Sequence, residues 1–196
     1  MIDFIVKDIM EVAGYLPIGI LCGILAVALY VICVLCSGRK KVAKSRLGLH
    51  LWNSVVWFLL GVYLTVMFVT VFLSREPGSR QGIDMTLFGT WGETPHAHAF
   101  VIENVLLFVP FGILYPFAVT SAGRAYVDID DSGRGGFARK FTVPLGFIIS
   151  VGIETVQLIT ERGYCQLDDV VMNTLGSLVG YVIFLIIDRI LMRKGS

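Results

Sequence analysis

Five stretches of about twenty mostly apolar residues, at positions 16–36, 49–73, 101–122, 142–160 and 170–191, constrain this chain more than any other feature of it. About 20 such residues cross about 30 Å of hydrocarbon as a helix, and backbone polar groups at that depth must be satisfied inside the segment. Each stretch therefore predicts a transmembrane helix. Little chain is left between them. The expected architecture is all-α: a polytopic membrane protein forming one helical domain over residues 1–196, a bundle of about five transmembrane helices. Composition points the same way, with 56% hydrophobic and 16% charged residues against about 45–50% and about 25% in soluble domains.

Cations set the predicted topology, because short cytoplasmic loops retain lysine and arginine. Arg39, Lys40, Lys41, Lys44 and Arg46 follow the first span. Arg124, Arg134, Arg139 and Lys140 follow the third, and the C-terminal tail carries Arg189, Arg193 and Lys194. The opposite side holds Lys7, Arg75, Arg80 and Arg162. This asymmetry predicts an N-terminus outside and a C-terminus in the cytoplasm. Nucleic acid is excluded as a partner by a net charge of +1 and by basic residues that sit beside spans; anionic inner-leaflet lipid suits them better.

Ahead of the first span, Ile2, Ile5, Ile9 and Val12 recur at helical spacing, with Asp3, Lys7 and Glu11 on another face. That pattern predicts an N-terminal interfacial helix rather than a cleaved signal. Residues 74–98 carry Pro77, Gly78, Gly82, Gly89, Gly92 and Pro95, the punctuation of an irregular segment long enough to fold over the bundle as a lid. Asp128, Asp130 and Asp131 partly echo a calcium loop, but Arg139 stands where the closing glutamate belongs, so a solvated connector is expected. Cys33 and Cys36 form a C-x-x-C without a second ligand pair. No cofactor and no metal are expected.

Against this apolar background, polar residues gather around the turn between the fourth and fifth spans. Glu154 and Gln157 share a helix face at i, i+3, with Glu154 about six residues inside the predicted span end. A lone carboxylate at that depth protonates or finds a partner, and Arg162 is the nearest cation in sequence. Asp169 and Asn173 share a face at i, i+4, and Asp168 or Asp169 suits a helix N-terminus. Glu103 and Asn104 open the third span above Pro110, which removes a backbone donor and predicts a kink. Ionisable groups near hydrocarbon cost about 2.5–3.5 kcal/mol each on insertion scales, so such a set is a candidate site.

The patterns Glu103-Asn104-x3-Phe108-x-Pro110-x-Gly112, Glu154-x2-Gln157, and Arg162-x5-Asp168-Asp169-x3-Asn173-x2-Gly176-x3-Gly180 resemble those of the VanZ-like membrane proteins, over about residues 55–192. The resemblance implies a multi-pass protein of the bacterial cytoplasmic (plasma) membrane. It also implies a contribution to resistance against teicoplanin, a lipid-bearing glycopeptide, by a route other than rebuilding the peptidoglycan precursor, or to ordinary envelope homeostasis.

Three functions suit the cluster of Glu103, Asn104, Glu154, Gln157, Arg162, Asp168, Asp169 and Asn173. The first is an outer-leaflet pocket for an amphiphile such as a lipid, a lipid-linked envelope glycopolymer or a lipoglycopeptide, since guanidinium recognises phosphate or carboxylate while acids and amides accept from hydroxyls or ammonium. The second is a membrane-embedded enzyme acting on a lipid-linked substrate with Glu154 as acid or base. His96 and His98 beside Glu103 match no sufficient metal motif. The third is a buried network that only fastens helices, a reading that the small residues Gly176 and Gly180 support.

Overall fold

The structure is a computed structural model in which residues 2–36, 47–78, 82–87, 95–126 and 139–193 are described. The basic loop at 39–46, the acidic loop at 128–131 and the His96 side chain lie outside the described residues. Helix α1 (Ile2–Ala13) precedes α2 (Leu16–Cys36) and α3 (Leu47–Phe68), which runs on as a π-helical turn over Val69–Leu73. Helix α4 (Pro95–Tyr126), α5 (Thr142–Ile159) and α6 (Leu167–Arg193) follow. Five of these helices are long and apolar enough to cross a membrane: Leu16–Cys36, Gly48–Leu73, His98–Thr120, Thr142–Ile159 and Leu167–Leu191. The third and fifth begin three residues before their predicted starts. Asp168 and Asp169 therefore lie in the first turn of α6 rather than ahead of it, where the helix dipole favours negative charge.

Between helices in lipid there is no apolar driving force, so association depends on close backbone approach and shared polar contacts. Helices α4 and α6 make the most extensive contact, and α2 packs mainly on α3. Gly176 and Gly180 explain the first of these. A Cβ on Gly176 would collide with the Val105 carbonyl, and one on Gly180 with the Val109 carbonyl, while Gly112 faces the Ser177 and Gly180 backbone in return. The seam continues into a core of Val56, Leu60, Phe117, Ala118 and Phe184. There the Phe117 and Phe184 rings meet edge to face, with centroids 4.7 Å apart. A second cluster joins Val71, Phe108, Phe111 and Ile153 across α3, α4 and α5. Helix α4 passes through Pro110 and Pro116 without ending, and the Tyr63 hydroxyl donates to the neighbouring Leu107 carbonyl at 2.9 Å.

At the opposite end of the bundle, Arg139 pairs with Asp188 at 3.6 Å. Tyr30 of α2 meets His50 Nδ1 at 2.9 Å and accepts from Asn53 Nδ2 at 3.1 Å. The N-terminal helix expected ahead of the first span is present as α1, and it packs against α4. Of the segment expected to fold over the bundle, Ile83–Asp84 (β1) pairs in parallel with Cys165–Gln166 (β2), the turn that joins α5 to α6. Gly82 closes this pairing by accepting from the Cys165 amide at 3.0 Å. Its φ of 153° and the Tyr164 ring, 2.8 Å from where a Cβ would lie, both call for glycine.

Candidate functional site

The last carbonyls of any helix lack intrahelical partners, and the π turn closing α3 leaves two of them facing α5. Gln157 Nε2 donates to the Val71 carbonyl at 3.2 Å, and Arg162 Nη1 donates to the Phe72 carbonyl. The guanidinium is aimed there by the way α5 ends. The Arg162 amide bonds the Gln157 carbonyl at 2.9 Å and the Glu161 amide bonds the Leu158 carbonyl at 3.3 Å, the paired bonds of a Schellman motif. Glu161, at the position glycine normally fills, is forced to a φ of 56°. A left-handed non-glycine residue costs about 1 kcal/mol. Glu161→Gly is expected to stabilise the protein by about 1 kcal/mol, visible as a raised thermal midpoint in detergent; an unchanged or lower midpoint would contradict this account.

Beyond that cap the chain folds back over the end of α5. The Gln166 amide donates to Glu154 Oε2 at 3.0 Å, so a carboxyl that is only 3% exposed is reached by the backbone of the next turn. One helix turn deeper on the same face, Ser150 accepts from Asn173 Nδ2 at 2.9 Å. Ser177 in turn donates to the Asn173 carbonyl at 3.2 Å. Asn104 of α4 donates to Asp169 Oδ1 at 2.6 Å, joining residues 65 apart in the chain. Four elements thus share one polar cluster at one end of the bundle.

Two arginines serve it in different ways. Arg162, the cation nearest to Glu154 in sequence, is spent on the Phe72 carbonyl. Arg75, just beyond the π turn, is the cation whose charge acts on both Glu154 and Asp169. Its Nη1 lies 2.8 Å from where a Cβ on buried Gly163 would be, and Gln157 Oε1 lies 3.1 Å from the same point. A side chain at 163 would therefore collide with the guanidinium, and glycine lets the turn approach Arg75 and Gln157 this closely.

Above the cluster, Asp84 of β1 adds a further carboxylate, close enough to Asp168 for their charges to interact. The Thr86 amide donates to Asp84 Oδ1 at 2.9 Å and, with the Thr86 hydroxyl, holds that carboxyl below its ordinary range. Burial pushes the Cys165 thiol up, and the Glu154 and Asp169 charges push the same way. A thiol so placed is a poor nucleophile at neutral pH.

The structure brings together Asn104, Glu154, Gln157, Arg162, Asp168, Asp169 and Asn173. Glu103 is turned toward α1, where the Asp8 side chain faces it. Among the described residues no three His, Cys, Asp or Glu side chains converge as metal ligands. Sequence reasoning passed over Ser150, Arg75 and the Gln166 amide. Ser150 stands four residues before Glu154, a spacing that was available in the sequence; the other two depend on a turn conformation that residue types do not announce. An apolar crevice of about 550 Å³, lined by Ile24, Val27, Leu51, Trp52, Val55 and Phe58 among others, lies on the α2–α3 face near the other end and shares no residue with the cluster.

Seven of the eight polar residues that carry the motifs noted in the sequence share this end. No curated protein and no solved structure matches the chain. The VanZ/LLP1 family matches residues 53–188, a segment that runs from the buried Asn53 in α3 to Asp188 in α6 and contains the whole cluster, and the chain belongs to that family.

Proposed function

We propose that this VanZ-like membrane protein binds the headgroup of a cell-envelope amphiphile in the polar cluster of α3, α4, α5 and α6. The cluster faces the outer leaflet of the bacterial cytoplasmic membrane, and the protein thereby contributes to lipoglycopeptide resistance of the teicoplanin type or to envelope homeostasis. The observation that carries this reading is the Gln157 carbonyl oxygen. Gln157 is 2% exposed, yet its Oε1 has no hydrogen-bond partner, beside a group of carboxylates at the edge of the hydrocarbon. An orphaned buried acceptor costs about 1–3 kcal/mol. Asn173 Oδ1 in the same cluster is likewise buried without a partner. The outer placement is supported by the cation asymmetry of the loops, twelve of sixteen lying toward the opposite end.

The full chain in nanodiscs, titrated with a fluorescent teicoplanin-type lipoglycopeptide and with a labelled lipid-linked glycan, tests the proposal. Saturable binding of one of these is expected, weakened about tenfold in Asp169→Asn at an unchanged thermal midpoint. Failure of the wild-type chain to bind either probe, or equal binding by the variant, would overturn it.

A further inference from the structure

We propose that two elements flanking the polar cluster, helix α1 and the β1 segment at 82–87, lie in the membrane plane with apolar side chains in the leaflet that the cluster faces. The proposal goes beyond the binding reading above and does not depend on it. In α1, Val6, Ile9 and Met10 fall on one side of the helix, with Lys7 and Glu11 on the other. Asp8 lies on the flank toward α4, where it faces Glu103. In an extended segment side chains alternate between two faces. Asp84 interacts with the Asp168 charge, and its neighbours Ile83 and Met85 share the opposite face, with Leu87 following. Val6, Ile9, Met10, Ile83, Met85 and Leu87 are between 49% and 71% exposed. One such residue on a surface needs no explanation, but three in each of two short segments do.

Depth decides what covers them. Strand β1 pairs with Cys165–Gln166, and the next residue, Leu167, begins a membrane-spanning helix. Ile83 and Asp84 are thereby held at the edge of the hydrocarbon. Helix α1 ends at Ala13, just ahead of the span that begins at Leu16. Its Asp8 faces Glu103, and the span containing Glu103 begins at His98, about 7–8 Å away at 1.5 Å per residue. An amphipathic helix in the membrane plane buries its apolar face about 5–10 Å into the boundary between headgroups and acyl chains, so this is the expected depth. The exposed apolar surface is also continuous with that of the spans, since Leu16 and Ile18 at the start of α2 and Ile159 at the end of α5 are exposed in the same way. The free edge of so short a strand is satisfied by headgroups and water, which places β1 at the boundary and not in the core. A soluble partner would have to displace lipid to reach either face.

Met10 and Met85 are natural probes of the two faces. The full chain, one copy per phosphatidylcholine nanodisc, is pulsed with hydroxyl radicals beside a soluble methionine peptide that serves as the standard for water. Conversion of both residues to the sulfoxide is expected to be at least about tenfold slower than that of the peptide. A nitroxide at Ile9→Cys or Met85→Cys, with the native cysteines replaced by serine, separates lipid from protein as the cover. Collisions with oxygen, which concentrates in lipid, should exceed those with a water-soluble nickel chelate. Oxidation of either methionine at the rate of the peptide overturns the proposal, as does a label that meets the chelate as often as oxygen. Slow oxidation with a label shielded from both quenchers also overturns it, because protein then covers the face. The methionine measurement needs no substitution and keeps the test decisive if the cysteine variants do not fold.

Discussion

Gly176→Ala and Gly180→Ala are each expected to destabilise the protein by about 1–3 kcal/mol, and together to prevent recovery of a folded, monodisperse protein. The sign is not obvious in advance. Alanine for glycine within a helix ordinarily gains about 1 kcal/mol of helix propensity. Here the added methyl meets backbone: the Val105 carbonyl, with the Phe108 Cβ at 3.0 Å, for residue 176, and the Val109 carbonyl, with the Gly112 Cα at 2.8 Å, for residue 180. Backbone atoms of a packed helix cannot swing aside as a flexible side chain can, so α4 and α6 must separate, and theirs is the most extensive helix contact in the molecule. Gly152 supplies the control within the same chain. A Cβ there meets nothing within 4 Å, and Gly152→Ala should be neutral or stabilising by up to about 1 kcal/mol. Thermal unfolding of the three variants in one detergent separates the two effects; an equal response at 152 and 176 would refute the close-packed seam.

Arg162→Ala is expected to cost about 1–3 kcal/mol, because it strips the Phe72 carbonyl of its donor at a part-buried helix end. A charged donor at a helix C-terminus also gains from the dipole, so the loss falls toward the upper part of that range. Arg162→Lys should recover part of it, since an ammonium still donates and still carries charge, but without the planar reach of guanidinium. Hydrogen exchange gives the specific readout. Amides of residues 69–74, whose π turn is closed by the Ser74 amide on the Val69 carbonyl at 2.9 Å, should exchange faster in Arg162→Ala while those of α2 do not. If the thermal midpoint and this exchange are both unchanged, Arg162 is not the cap of α3. The same variant separates structure from binding: Arg162 positions the site, and its removal should lower stability before it alters ligand preference.

Much of this architecture was legible because the physics behind it is local. Runs of about twenty apolar residues become helices in lipid whatever they pack against, and the spans of α2, α3 and α5 fall within a residue of their expected limits. Helical spacing likewise put Glu154 beside Gln157 and Asp169 beside Asn173, and the small residues at 176 and 180 announced a close contact before its partner was known. The earlier starts of the third and fifth spans have a local cause too. Polar residues at 98, 168 and 169 dilute the hydropathy of turns that nevertheless remain helical.

What the residue types do not disclose is who meets whom. The stretch Val69–Leu73 reads as more apolar helix, yet it winds as a π turn whose carbonyls await donors from α5 and its turn. That detail sends Arg162 to Phe72 and leaves Arg75 to face the carboxylates. Asn104 finds Asp169 only because the glycine seam brings α4 against α6. Sequence by itself determined a membrane-spanning helical bundle of the VanZ-like kind and marked the polar residues that lipid makes costly. Only the tertiary structure decided which of those residues are spent on holding helix ends and which acceptors are left without a partner. Hydropathy sums over a segment, whereas a hydrogen bond depends on a few tenths of an ångström between atoms that the chain itself does not place side by side.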